Sequence, residues 1–267
     1  MQYFLALECN LYVDCSTISR HLQQEKWTNK RLQHSASQQS VPLRLDWIRK
    51  VSIFTAEMYV FCDESGTDRR DGARRAGWWP KGQGSPWCSA DLQRGKRYHV
   101  LPALTVDGFL DTLVFRGQAN SDGFVEWLRL SILPKMNPFP GRYSILVMDN
   151  ASWHQDIRVV SLCRDAGVLL WYLPPYSPDF NPIEALFSDL KAFMRRQYMN
   201  DNGDDMKEDT FMDWLQCCLD VVGCRLEAIK GHFRKAKVSF REDNRPVDYR
   251  LLYLDELEEY IRTGTVN

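Results

Sequence analysis

Several signatures of common protein classes are missing from this 267-residue chain. No apolar run reaches the roughly 18 residues of a membrane-spanning helix. The opening MQYFLALEC is interrupted by Glu8 and lacks the basic start of a secretory signal, so an intracellular protein with no membrane partner is expected. The eight cysteines contain no CxxC pair, and together with five histidines they show no zinc-ligand spacing. Reduced, mostly buried thiols are expected. Ser65 stands outside any GxSxG elbow, which removes support for a serine hydrolase. Internal repeats, low-complexity tracts and a long Lys/Arg block are absent. So is net positive charge: 34 Lys and Arg against 35 Asp and Glu give a formal charge of −1. Any phosphate-binding surface must therefore be local.

What is present is ordinary for a folded protein, with 44% hydrophobic and 26% charged residues. The length allows one main domain of about 200 residues with a small appendage. Positive charge gathers at Arg20, Lys26, Lys30, Arg31, Arg44, Arg49 and Lys50, and again at Arg69, Arg70, Arg74, Arg75 and Lys81. DCSTISRHLQQ at 14–24 reads as a short helix behind a polar cap. HSASQQS at 34–40 reads as a linker, and LRLDWIRK at 43–50 as helix. EMYVFCD is the first predicted strand; RYHVLPALTV and FLDTLVFR follow, joined at Asp107-Gly108. A helix over 121–133 is predicted from a Ser121 cap. SILVMDN then reads as a buried central strand, WHQDIRVVSLCRDAG as a helix closed by Gly167, and VLLWYLP as a further strand. Ile183, Leu186, Phe187, Leu190, Phe193 and Met194 recur at helical spacing behind an Asn181 cap and Pro182. A second helical pattern runs from Phe211 to Val222, and a final helix is predicted at 249–261. Strands alternating with helices imply a mixed α/β sheet covered on its faces.

Three acids occupy exposed ends of this pattern. Asp63 and Asp149 stand where apolar strands run out, and Glu184 stands in the first turn of a helix. Ligands gather at strand ends in open α/β sheets. Two strand-end aspartates with a nearby glutamate make a set of hard oxygen donors suited to magnesium. Paired ions about 3.5–4 Å apart activate water or a hydroxyl in phosphodiester chemistry. Each acid also has a plainer reading. Asp149-Asn150 can be a turn or cap, Glu184 sits at capping-box spacing from Asn181, and Asp63 has a rival in Glu64.

DES at 63–65, LVMDNASWH at 146–154 and LPPYSPDFNPIE at 173–184 together resemble the catalytic domain of the mariner superfamily of cut-and-paste DNA transposases. The order matches, and 34 residues lie between Asp149 and Glu184, as in one branch of that superfamily. The resemblance extends over roughly 45–235, through GTDRRDGARRAGWWPKGQ, VDGFLDTLVFRG, MNPFPGRYSILVMDN and AGVLLWYLPPYSP. It implies a ribonuclease H-like fold in which Asp63, Asp149 and Glu184 form an Asp-Asp-Glu metal triad. It also implies two divalent ions, magnesium with manganese as a substitute, supporting DNA strand cleavage and strand transfer without a covalent enzyme intermediate. Asn150 and His154 fall in the second motif as groups that position the triad. Arg69, Arg70, Arg74 and Arg75 become candidate phosphate contacts. A homodimer, double-stranded DNA partners (transposon ends and target) and a nuclear location follow from the resemblance alone.

Members of that superfamily carry two helix-turn-helix units ahead of the catalytic domain, whereas some 40 residues precede it here. CSTISRHLQQEKWTNKRL resembles the end of the second unit, with Ser16, Thr17, Ser19 and Arg20 on a helix able to meet a DNA groove. The expected organisation is a partial helix-turn-helix remnant at 1–40, the catalytic domain at 45–235 and a helical extension at 236–267. The shortened N-terminus leaves a competing reading open, a catalytically silent or domesticated transposon-derived protein that binds DNA or only associates with its relatives. A nuclease of the same fold acting on RNA or hybrid duplexes is disfavoured by the proline-rich third motif. NDNGDD at 200–205 lacks calcium-loop spacing, and Trp78, Trp79 and Trp87 read as packing residues.

Overall fold

The computed structural model describes residues 2–28, 38–72, 80, 96–117, 120–151, 154–198 and 208–240. It divides into two units, Met1–Ser37 and Gln38–Asn267. In the first unit, helix α1 spans Gln2–Cys9 and α2 spans Cys15–Gln24. Asp14 precedes α2 in extended conformation, and Ser16 Oγ donates to its carboxylate at 2.6 Å. The predicted helix at 14–24 is thus present, and α1 adds to the sequence reading. No described side chain of this unit is buried, because so short a segment cannot enclose a core of its own.

The second unit is built on a six-stranded sheet. Helix α3 (Val41–Ile53) leads through a 3₁₀ turn into β1 (Tyr59–Cys62), β2 (Ser65–Thr67), β3 (Tyr98–Thr105) and β4 (Gly108–Arg116). Then come α4 (Ser121–Trp127), β5 (Ile145–Met148), α5 (Ile157–Asp165), β6 (Leu169–Tyr172), α6 (Pro182–Gln197), α7 (Glu208–Gly223) and α8 (Leu226–Lys235). The strand order is β2-β3-β1-β5-β6, with β4 also paired to β3. β1, β5 and β6 run parallel, while β3 is antiparallel to β1, β2 and β4.

Strand alternation sorts side chains into two cores. Every residue of β1 and β5 is buried, as befits central strands covered on both faces. Tyr59 and Phe61 of β1, Ile145 and Val147 of β5 and Trp171 of β6 pack with Trp47 of α3, with Ile183 and Leu186 of α6, and with residues of α7 and α8. The intervening Val60, Cys62, Leu146, Met148 and Leu170 pack instead with Phe124, Trp127, Val159 and Cys163 under α4 and α5. Burying each large apolar side chain contributes roughly 1.5–3 kcal/mol, so both faces must stay covered.

The Asp107-Gly108 connection forms as predicted. Gly108 adopts φ +111°, which side chains resist, and Thr105 Oγ1 donates to its carbonyl at 2.8 Å. Other expectations need correction. The helix predicted at 121–133 is regular only to Trp127; Leu128–Ile132 widen into a π turn ahead of Pro134, which has no backbone donor to continue the ladder. Its cap is Asn120 rather than Ser121, with Oδ1 accepting from Gly123 N at 2.8 Å. The predicted helix after Asp149 starts only at Ile157, capped by Asp156. Helix α8 was not separated in the sequence pattern, and it buries Ile229 and Phe233, four residues apart. The described cysteines form no disulfide, but Cys9, Cys15, Cys217 and Cys224 are exposed, so mostly buried thiols do not hold. On α7 the reason is angular: neighbouring positions differ by about 100°, and Cys218 faces the core while Cys217 faces out. The final helix predicted at 249–261, the acidic segment 200–205 and Trp78, Trp79 and Trp87 lie outside the described residues.

Candidate active site

Strand register brings the two aspartates together. β1 and β5 are parallel neighbours with Phe61 opposite Val147, and Asp63 and Asp149 each follow two residues later. Positions two apart share a face, and Phe61 and Val147 both pack on the side covered by α6. Strand spacing of about 4.8 Å therefore places two acids side by side at the edge where α6 begins.

Asp63 is held by two donors. Glu64 N donates to Oδ1 at 2.7 Å and Asn181 Nδ2 donates to Oδ2 at 2.7 Å. Burial, reinforced by the negative charges of Asp149, Glu184 and Glu64, pushes its pKa up to about 7. Glu64, the rival carboxylate, is engaged elsewhere: its Oε1 pairs with His99 Nδ1 on β3, and that imidazole stacks on Phe115 at 5.4 Å.

Asp149 is anchored differently. His154 Nδ1 lies 2.5 Å from Oδ1, and Ala151 N donates to the same oxygen at 3.0 Å. Burial alone would raise its pKa, but these two hydrogen bonds outweigh it and hold the group below the usual carboxylate value. Of the turn and cap readings of Asp149, the turn holds for Oδ1, whereas the cap of the following helix is Asp156. His154 is fully buried; it packs against Phe124 at 5.0 Å, and its carbonyl accepts from Tyr172 Oη at 3.0 Å. Asn150 Nδ2 donates to Leu173 O at 2.5 Å, tying the end of β5 to the start of the proline-rich segment.

That segment is pinned from both sides. Leu173 N donates to Met148 O, extending the β5–β6 pairing by one bond at 2.9 Å. Pro174 and Pro175 follow, then Tyr176 at φ +55° and a 3₁₀ turn over Pro178–Phe180. On the outside, Gln39 Nε2 donates to Tyr176 O at 2.9 Å. Arg44 of α3 forks onto both carboxylate oxygens of Asp179 at 2.8 and 2.7 Å while lying 4.1 Å above the Phe180 ring. Chain direction is thus set before Asn181 caps α6, its Oδ1 accepting from Ile183 N at 3.2 Å.

Glu184 lies on the exposed side of the first turn of α6. The capping-box reading loses its partner, because the Asn181 N–H that a capping glutamate would accept from already donates to Pro178 O at 3.0 Å. Although the residue is exposed overall, partial enclosure of its carboxylate and the charge of Asp149 raise the Glu184 pKa, with Lys191 opposing them. Among the described residues, neither Asp63 nor Glu184 has an ion pair. The three carboxylates interact through their charges, although among the described residues no three His, Cys, Asp or Glu side chains are close enough to share an ion. Hard oxygen donors that repel one another fit a divalent metal in their chemistry.

Ser16, Thr17, Ser19 and Arg20 are exposed on α2 in the first unit, with Arg20 Nε donating to Ser16 O at 3.4 Å. Arg69 and Arg70 begin a short 3₁₀ turn, Arg69–Gly72, just after β2. Arg74 and Arg75 lie outside the described residues. Sequence reasoning missed two contributors. It read Asn181 only as a cap, although an amide there, unlike Asp, has a donor to spare, and on a longer arm than the Ser hydroxyl. It counted Arg44 only as one charge in a basic stretch, and nothing local signals a partner 135 residues away.

Comparison with known proteins agrees with this geometry. The profile of the family described as DDE superfamily endonuclease matches residues 58–207, which span all three acids. The chain belongs to the DDE superfamily endonucleases. Among solved structures, this DDE chain resembles the Mos1 mariner paired-end complex with Mn, at 14% identity over 91% of this chain and 75% of that one, with a TM-score of 0.66. The Mos1 paired-end complex with Mg matches at 14% identity over the same shares, 91% and 75%, with a TM-score of 0.65. The Mos1 strand transfer complex matches at 16% identity over 90% and 74%, with a TM-score of 0.56. The predicted fold class is therefore correct. Comparison with curated proteins finds no match.

Proposed function

We propose that this DDE endonuclease cleaves DNA strands and transfers them in a transposase-type reaction, with Asp63, Asp149 and Glu184 binding divalent metal. The observation that carries the reading is the β1–β5 register, which sets Asp63 and Asp149 side by side where α6 begins, with burial and the neighbouring acids raising Asp63 to about 7. The donor set suits magnesium, with manganese as a substitute, and two ions. Mos1, whose fold this chain shares, was solved in complexes with Mn and with Mg. When bound, such ions supply Lewis-acid activation of a water or 3′-hydroxyl and neutralise the leaving oxygen.

The chain's own groups divide the remaining work. His154 and Ala151 N keep Asp149 ionised, giving a fixed charge at the centre. Asp63 gives up its proton when a cation replaces mutual repulsion with attraction, and Glu184 stands ready as a further donor. Asn150 and the proline-rich segment hold the ends of β5 and β6 to the approach of α6. Double-stranded DNA is the substrate in this reading, with α2 and the arginines near Arg69 as contacts, the enzyme working as a homodimer in the nucleus. The test is nicking of supercoiled plasmid by purified protein with magnesium or manganese, beside Asp149→Ala and Glu184→Gln. Metal-dependent nicking by the wild type alone supports the reading. Equal nicking by all three proteins, or by none, counts against it.

A further inference from the structure

Asn181 makes more bonds than a helix cap needs. It is 4% exposed, and each of its polar groups is used. Its N–H donates to Pro178 O at 3.0 Å, its carbonyl accepts from Glu184 N at 3.3 Å, and Oδ1 accepts from Ile183 N at 3.2 Å. The remaining group, Nδ2, crosses 118 residues of sequence to donate to Asp63 Oδ2 at 2.7 Å. The amide cannot be reversed. A flip would set NH₂ against the Ile183 N–H and oxygen against the Asp63 carboxylate, two repulsive pairs in place of two bonds. Serine, aspartate and asparagine serve almost equally well as caps, but aspartate has no donor and the serine hydroxyl sits one atom nearer the backbone, so only asparagine carries a donor on a second atom that reaches Asp63. An aspartate cap here would face Asp63 with like charge.

We propose that Asn181 is a positioning residue for the metal site: a single amide that starts α6, and so places Glu184, while orienting the carboxylate of Asp63. With Glu64 N on Oδ1 and Asn181 Nδ2 on Oδ2, the plane of Asp63 is set from both oxygens, and each oxygen keeps a second lone pair for an ion. Asp63 at the end of β1 and Glu184 on α6 therefore cannot drift independently. This rests on the metal-binding reading of the three acids.

The test uses the full chain in three variants. Asn181→Ser keeps the cap acceptor but leaves its donor, the hydroxyl, one atom short of Asp63, Asn181→Asp keeps the cap and the size but turns the donor into an acceptor, and Asn181→Ala removes both functions. Free Mn²⁺ is measured by electron paramagnetic resonance, alongside thermal melting in chelator. Asn181→Ser is expected to melt close to the wild type yet bind Mn²⁺ about 10- to 100-fold more weakly, with Asn181→Asp weaker still. Wild-type Mn²⁺ affinity in Asn181→Ser and Asn181→Asp overturns the proposal and leaves Asn181 a cap. If the wild type itself binds no Mn²⁺, the metal reading fails separately. The positioning bond is then judged by exchange of the Asn181 side-chain amide protons, which should be protected in the wild type and fast in Asp63→Ala. Equal exchange in both overturns it.

Discussion

Asp63 couples the site to pH. The unfolded chain gives up the Asp63 proton near 3.8, whereas the folded chain holds it up to about 7. The folded state thus binds the extra proton, and stability drawn from this site is full below 3.8 and is lost as pH rises through about 7. The loss is on the order of a few kcal/mol in the metal-free protein. Metal displaces that proton, so the rise in melting temperature produced by magnesium should be small near pH 5 and complete above about pH 8. Melting curves with magnesium and with chelator across that range check this, and an increment independent of pH contradicts it. Glu184→Gln removes charge at an exposed position with no capping bond to lose. It should change stability by less than about 0.5 kcal/mol while lowering metal-dependent cleavage at least about 100-fold, since metal activation is worth several kcal/mol. Parallel melting and plasmid-nicking measurements separate the two effects.

At the scale of elements, α6 and its approach are aimed by partners on both sides. Arg44→Ala removes the fork to Asp179 and the stack on Phe180. Because Asp179 is half exposed, the stability cost should stay near 1 kcal/mol or below. Hydrogen exchange over 176–182 should accelerate more than exchange in β1 or β5; uniform acceleration would mean that Arg44 supports the whole fold rather than this segment. At the far end of the β3–β4 hairpin, a Cβ on Gly108 would lie 2.9 Å from Gly223 O, at a φ of +111°. Gly108→Ala should therefore cost at least about 1 kcal/mol, read as a lower melting temperature. What was legible in the sequence follows from the range of each interaction. β1, β5 and α6 announce themselves by apolar period and by the acids that end or begin them. The Asn120 cap and the π turn before Pro134 depend on which of two adjacent residues wins a local bond, and periodicity does not decide that. The Asn181–Asp63 and Arg44–Asp179 bonds leave no local trace at all, since their partners meet only through the sheet order.

At the scale of the whole molecule, the two cores and the three acids belong to residues 38–267, whereas the first unit buries nothing among its described residues. A chain comprising 38–267 should melt within a few degrees of the full protein and retain the magnesium-dependent shift. Loss of cooperative melting on that truncation would show that the first unit is needed for folding. With a net charge of −1, the proposed DNA binding would rest on local arginines and lysines, so truncation should weaken it more than it weakens the fold. The central claim is that Asp63, Asp149 and Glu184 hold divalent metal, and the most direct measurement is anomalous scattering from crystals of the protein soaked in Mn²⁺. The account predicts anomalous density bounded by these three carboxylates and absent in Asp149→Ala. Density elsewhere only, or an empty cluster at saturating Mn²⁺, contradicts it.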